Sequence, residues 1–459
     1  MVIDALIAEI GSTTTLVTGF DQLGTKHPII VGQGEHYTTV QEGDVMIGLH
    51  RAIESMEQKQ GQKIRWNRLY ASSSAAGGLR MSVHGLVFDM TVRAAKEAAL
   101  GAGAIIKHIT SGKLSDDEII LLQEIRPNVV LIAGGVDFGE KETVIHNSRI
   151  LAQSPLDVPF IFAGNVSAKP IVRQIFEQAG KQVILTDNVY PQVDELHVEP
   201  VRKIIQEVFS QHIIHAKGMD QLAKQVDSRI FPTPAAVMET TELLAEIYGD
   251  VMVIDIGGAT TDVDSVTQGT PEIQQISIHP EPLAKRTVEG DLGVFINARN
   301  VSVAMGQEGS VLQENVSESQ WLDRMSPYPE DESMEAITAR LATFCARVAV
   351  RRHAGKFRYY YGPNGRQKMA YGKDLTAIKG IAGTGGVLCR SRHSNQILQS
   401  LKSLSAMFPQ ELLPPPDVCL WRDSQYIFAP IGVLSSIEPE NARQLLQTDL
   451  ECCAQEAIP

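Results

Sequence analysis

A short pattern that occurs twice places the tightest limit on how this chain can fold. Glu9-Ile-Gly-Ser-Thr-Thr-Thr15 and Asp255-Ile-Gly-Gly-Ala-Thr-Thr261 lie 246 residues apart, and each follows an apolar run of strand length. An acidic residue, an isoleucine, a glycine and two closing threonines hold matching places in both. The pattern points to two related halves, each with a buried strand that ends in a tight turn. A third apolar-to-glycine turn, Lys379-Gly-Ile-Ala-Gly-Thr-Gly-Gly-Val387, occurs in the second half alone.

The remainder of the chain reads as α/β. Ser115-Asp-Asp-Glu118 is a capping-box start for a helix over 117–125, which Pro127 ends. Apolar strands are expected over 128–133, 158–163, 182–186 and 251–255, with helices over 168–178, 199–211 and most of 93–104. Short apolar strands alternating with amphipathic helices indicate parallel βαβ units covered on both faces. Phe231-Pro-Thr-Pro234 is the clearest punctuation in mid-chain, so a domain boundary is placed near residue 235; Leu413-Pro-Pro-Pro416 is a lesser break. The expected units are 1–235, with an inserted α/β region, and 236–459.

Composition narrows the function. The 459 residues carry a net charge of −13, which argues against a duplex nucleic-acid binder, since that role needs clustered Lys and Arg. The five cysteines are too badly spaced for a disulfide framework or a C-x-x-C metal site. No run approaches the roughly 18–20 apolar residues that span a bilayer, and the first residues lack a basic n-region. The expected setting is soluble and cytoplasmic, with no membrane partner.

The acid-led turns suit a metal-bound polyphosphate. Glycines let backbone N–H groups converge on one concavity, and threonine hydroxyls add donors to phosphate oxygens. A carboxylate at the strand end repels phosphate directly but holds Mg²⁺ through water, because Mg²⁺ keeps several waters and takes few protein ligands. Neither the Walker-type G-x-x-x-x-G-K-[ST] loop nor a G-x-G-x-x-G turn occurs. The nucleotide-binding candidates are Gly11, Ser12, Thr13, Thr14, Gly257, Gly258, Thr260, Thr261, Gly383, Thr384, Gly385 and Gly386. Glu9 and Asp255 are the catalytic candidates, and with Asp262 the candidate metal set.

At these residues the chain resembles the superfamily of actin, the sugar and acetate kinases and the heat-shock chaperone ATPases. Glu9–Thr15 is similar to its first phosphate loop, Asp255–Asp262 to its second and Gly383–Val387 to its adenosine loop. The resemblance implies two actin-like, ribonuclease H-like domains with Mg-ATP in a cleft between them. A closer resemblance, to the glutamate mutase accessory protein (GlmL or MutL) family, runs through Ala71-Ser-Ser-Ser-Ala-Ala-Gly-Gly-Leu-Arg80, Asn128-Val-Val-Leu-Ile-Ala-Gly-Gly-Val136, Phe231-Pro-Thr-Pro-Ala-Ala236 and Arg286-Thr-Val-Glu-Gly-Asp-Leu-Gly293. It implies an ATP-driven, chaperone-like factor that expels damaged cobalamin from an adenosylcobalamin-dependent mutase, hydrolysing ATP slowly. Two departures stand out: Glu9 where the superfamily usually has Asp, and Leu16 where relatives often carry Lys.

Other residues have plainer readings. Glu289 and Asp291 read equally as a catalytic base or partner-facing patch and as an ordinary acidic turn, and are assigned no catalytic role; the basic stretch Arg347–Arg358 reads more readily as a solvated helix face than as a contact for a nucleotide or an acidic partner. His212 and His215 lack further ligands for a metal site, and the cobalamin-ligating Asp-x-His-x-x-Gly signature is absent. The competing functions are a small-molecule kinase of the same superfamily, an iron–sulfur activator, for which the cysteines offer no pair, and an actin-like filament former.

Overall fold

The computed structural model describes residues 1–39, 42–74, 79–213, 218–307, 321–362 and 365–456. Part of the 71–80 motif (residues 75–78) and His215 lie outside the described residues.

Strand β1 (Val2–Ile10) is apolar at almost every position and buried on both faces. It turns into β2 (Thr14–Asp21), which pairs antiparallel with it and with β3 (Ile29–Tyr37). β4 (Arg65–Ser73) lies parallel to β1 on its other side.

The chain then leaves this sheet to build a separate, all-parallel one. Strands β5 (Arg80–Gly85), β6 (Ile105–Ser111), β7 (Val129–Ile132), β8 (Phe160–Phe162) and β9 (Val183–Leu185) pair in the order β6-β5-β7-β8-β9. This is the doubly wound order of open α/β sheets. The strand centres 128–133, 158–163 and 182–186 expected from apolar runs coincide with β7, β8 and β9. The helix Asp116–Ile125 has its capping box in both directions: Glu118 N–H donates to Ser115 Oγ at 3.4 Å, and Ser115 N–H donates to Glu118 Oε2 at 2.7 Å.

β10 (Phe231–Pro232) returns to the first sheet and closes it in the order β10-β4-β1-β2-β3. The helix Thr233–Tyr248 follows at once, with proline in its first turn where a missing N–H costs nothing. Residue 235 lies in that first turn.

The second half repeats the first. β11 (Val251–Ile256), β12 (Thr261–Val266) and β13 (Ala284–Glu289) form an antiparallel meander. The hairpin β14 (Lys356–Gly362) and β15 (Gly365–Tyr371) stands apart from it as a two-stranded sheet. β16 (Gly380–Thr384) then joins β11 in parallel, and β17 (Cys419–Arg422) joins β16. The sheet order β13-β12-β11-β16-β17 has the same sequence of directions as β3-β2-β1-β4-β10. The protein is thus an α/β chain with two ribonuclease H-like sheets: the doubled motif pointed to the two related halves, and the superfamily resemblance implied their architecture.

The two sheets are joined by a shared core. Helices Thr233–Tyr248 and Phe428–Ser435 pack against each other so closely that a Cβ on Gly432 would stand 1.7 Å from Ala236 O. Ala5 and Ile7 from the first sheet, Val251, Val253 and Ala382 from the second, and Phe428 and Ile431 from the helix all belong to one buried cluster. Truncating a fully buried aromatic such as Phe428 costs about 3–5 kcal/mol, so the cluster fixes how the sheets sit together. Among the described residues, no helix is long and apolar enough to cross a membrane.

Candidate functional site

The two acid-led turns have the same construction. Gly11 N–H donates to Thr14 O at 2.9 Å, and Gly257 N–H donates to Thr260 O, also at 2.9 Å. A Cβ on Gly11 would come within 2.6 Å of Thr14 O, so the first turn requires glycine. In register, Glu9 lies opposite Leu16 and Asp255 opposite Asp262.

Each turn is braced from behind. Thr38 donates through its N–H to Thr13 O at 2.9 Å and through Oγ1 to Gly11 O at 2.8 Å. In the second half, Phe295 and Ile296 N–H donate to Gly258 O at 2.9 and 2.7 Å, and Asn297 Nδ2 donates to Ala259 O at 2.6 Å. This approach explains the glycine that closes Arg286–Gly293, because a Cβ on Gly293 would stand 2.4 Å from the Ala259 carbonyl carbon.

Both turns face one cavity of about 420 Å³. From the first half Glu9, Gly11, Ser12, Thr13 and Thr14 line it; from the second, Asp255, Gly257, Gly258, Thr260, Asp262 and Gly386. Thr261, Gly383, Thr384 and Gly385 do not line it. Thr261 turns inward to donate to Leu292 O at 2.8 Å, and Gly383 and Thr384 are buried within β16. Gly385, at φ +88°, backs the site: a Cβ there would meet Asp255 Oδ1 at 2.5 Å. Thr233 and Pro234 also line the cavity, so the mid-chain Phe-Pro-Thr-Pro stretch is a wall of the site as well as a passage between sheets.

The cavity is strongly acidic. Glu9, Asp255, Asp262 and Glu335 line it against one guanidinium, that of Arg390. Burial, followed by repulsion from Asp255 and Asp423, pushes the Glu9 carboxyl up to about 8, and its Oε2 has no hydrogen-bond partner. Burial and the nearby Asp262 push Asp255 up to about 7, with Arg286 partly offsetting them. Asp262 is already engaged, since its Oδ1 accepts from Arg286 Nη2 at 2.7 Å and its Oδ2 from Thr260 Oγ1 at 3.2 Å. Asp264, the next acid on the same side of β12, is buried and driven well above the usual carboxylate range, first by burial.

These features fit a divalent cation. An unpartnered buried carboxylate oxygen beside a second strained carboxylate is where positive charge is most favoured. Among the described residues, no group of three or more His, Cys, Asp or Glu could hold a metal ion. Mg²⁺ takes one or two carboxylates and completes its shell with water and phosphate oxygens.

Several residues of the site escape sequence reading. Tyr328 and Tyr426 line the cavity, and the Arg390 guanidinium sits 5.6 and 5.3 Å from their ring centres. Arg390 lies four residues beyond Gly386, so helical spacing in the third turn was the available signal. Asp423, fully buried, accepts from Thr384 Oγ1 and from the N–H groups of Ile427 and Phe428, and no local motif marks it.

The basic stretch 347–358 is not a free solvated face. Arg351 pairs with Glu411 at 2.9 Å and stacks over Phe408, while Arg352 grips Glu289 and Asp291 at 2.7 and 2.8 Å. The acidic turn at 289–291 is therefore an ion-pair partner for that helix. His353 is buried between Ser265 and Thr287 hydroxyls at 2.7 and 2.9 Å.

Residues 5–450 match the model of the family described as MutL protein. Protein MutL of Clostridium tetanomorphum is 35% identical over 458 residues, covering 96% of this chain and 98% of its own. Among solved structures, a glycerol dehydratase reactivase aligns over 94% of this chain and 99% of its own at 10% identity and a TM-score of 0.38. A diol dehydratase-reactivating factor in nucleotide-free form aligns over 95% and 99% at 12% identity and 0.33. Xylulose kinase from Bifidobacterium adolescentis aligns over 97% and 93% at 10% identity and 0.29. At such scores the fold rests on the strand order of this chain itself.

Proposed function

For this chain, which belongs to the MutL protein family, we propose the role of an ATP-binding, slowly hydrolysing factor that reactivates an adenosylcobalamin-dependent mutase by exchanging damaged cobalamin. The observation that carries the nucleotide site is the pairing of Glu9 and Asp255. They end the equivalent central strands of two sheets with one strand order, and both line the same cavity.

Glu9 and Asp255 would hold Mg²⁺ through its waters, and the ion would neutralise phosphate charge. A bare triphosphate would be repelled by the four carboxylates, so nucleotide enters with its cation. The turns Gly11–Thr14 and Gly257–Thr260 take the phosphates from opposite sides, while Gly386 and the end of β16 border the adenosine. Asp262 holds Arg286 and would contribute to the ion only through water. Asp255, once ionised, orients the attacking water and accepts its proton. Arg390 supplies the positive charge that Leu16 does not.

The two units, 1–235 and 236–459, would close over the cleft to different degrees with ATP and ADP, moving about the shared core beneath it, which itself stays packed. Hydrolysis on such a conformational cycle is slow. The proposed setting is the cytoplasm and the proposed partner the mutase, with no nucleic acid or membrane.

The test is release of a tightly bound cobalamin analogue from the adenosylcobalamin mutase encoded nearest to this chain. Release that needs both this protein and Mg-ATP is expected. Equal release without ATP, or none with it, overturns the reading.

A further inference from the structure

A second cavity, of about 610 Å³, shares no lining residue with the acidic one. One wall is the helix Arg93–Gly101. The other is built by β13, the end of the helix Glu332–His353 and the base of the β14–β15 hairpin.

Its charge is opposite to that of the chain as a whole. Seven Lys and Arg side chains line it against four carboxylates, and Glu289 and Asp291 pair with Arg352 from just outside, so positive charge still exceeds negative in a protein whose net charge is −13. Four of those cations have carboxylate partners. Arg93 and Lys285 share Glu281 at 3.1 and 2.6 Å, Arg351 holds Glu411 at 2.9 Å, and Arg352 holds Glu289 at 2.7 Å. The other three, Lys96, Lys356 and Arg358, have no ion-pair partner among the described residues.

Like charges held round one space, with a low-dielectric wall behind them, give it a positive potential that attracts anions. Arg93 Nε and Nη2 are buried without an acceptor, and Glu97 Oε2 in the same lining is buried without a donor. The lining is also partly apolar, with Phe88, Val92 and Val348, and with the Tyr371 ring on which Arg358 lies 4.0 Å from the centroid. A volume of this size suits an organic molecule and not merely an inorganic ion.

We propose that this cavity binds a small organic dianion, a phosphate monoester or a dicarboxylate, whose charged oxygens meet Lys96, Lys356 and Arg358. The ligand would touch both the inserted α/β unit and the second half, so it ties together parts of the chain that the nucleotide cleft does not. The site is independent of what the acidic cavity binds.

Calorimetric titration of the full chain with glycerol 3-phosphate, with succinate and with neutral glycerol tests this. At least one of the two anions is expected to bind, with glycerol silent. Arg358→Glu and Lys356→Glu, both at exposed positions, should each weaken that binding by about tenfold or more. Circular dichroism and melting temperature identify any variant that has lost its fold, and Lys96→Gln is then the substitute. Binding of the phosphate ester alone assigns the monoester class, and of succinate alone the dicarboxylate class. Binding of neither anion, or unchanged binding in the folded variants, overturns the proposal.

Discussion

Arg390 and Glu35 form an ion pair that joins the two halves of the protein. Glu35 lies on β3 at the edge of the first sheet, and Arg390 ends the short helix that follows β16 in the second. Each side chain is about a third exposed, at 36% and 30%. A pair of that exposure is worth no more than about 1 kcal/mol. Its importance lies in its place: any motion that separates the halves at this point must break it.

Glu35→Gln is expected to speed release of a fluorescent ADP analogue by up to about fivefold, the kinetic equivalent of that energy. The melting temperature of the ligand-free protein should hardly move. Stopped-flow release as slow as in the parent protein would show that opening leaves the pair intact.

Asp255→Asn should separate chemistry from folding. The substitution removes a buried carboxylate held near its neighbours Asp262 and Asp423, so ligand-free stability should stay level or rise. ATP turnover should fall by about 100-fold or more, the scale of losing a group that orients the reacting water. Parallel loss of turnover and stability would assign Asp255 to the framework instead.

The pH dependence has a definite sign. In the unfolded chain Glu9 and Asp255 titrate at their ordinary 4.5 and 3.8, whereas in the fold they titrate at about 8 and about 7. Across that interval the native state keeps protons that the unfolded state has released. Their contribution is therefore most favourable at the acid end and is lost as pH rises through the folded values. Mg²⁺, which favours the ionised carboxylates, should shrink the loss, and Glu9→Gln should flatten it. A pH series of melting temperatures with and without MgCl₂ measures this; a Glu9→Gln curve as steep as the parent's refutes the assignment.

Arg286 is nearly inaccessible and donates to Asp262 Oδ1 at 2.7 Å and to Leu100 O at 2.8 Å. Arg286→Met should cost about 3–5 kcal/mol in denaturant unfolding, because it leaves Asp262 without its counter-charge. Adding Asp262→Asn should restore part of that stability. A single variant as stable as the parent would mean that the pair contributes nothing net.

Much of this was legible in short stretches of sequence. The capping box at Ser115 and Glu118 is present in both directions, and the strands at 129–132, 160–162 and 183–185 lie inside the apolar runs that announced them. The two turns at Gly11 and Gly257 close with the same bond because they share the same residue classes. Legibility failed where a partner comes from far along the chain. Arg352 reads as solvated until Glu289 and Asp291 are seen beside it, and Phe-Pro-Thr-Pro reads as punctuation at a domain boundary until Thr233 and Pro234 face the cavity.

The division has a physical cause. Hydrogen-bond closure of a turn, the φ that a glycine permits and the burial of an alternating or continuous apolar strand all act over a few residues, so the local sequence by itself determined both acid-led turns and the α/β class. The meeting of those turns is a different matter. Glu9 and Asp255 line one cavity because Thr233–Tyr248 and Phe428–Ser435 pack between the sheets and hold their central strands in a fixed relation. That relation depends on side chains hundreds of residues apart burying apolar surface against each other, and only the tertiary structure decided it.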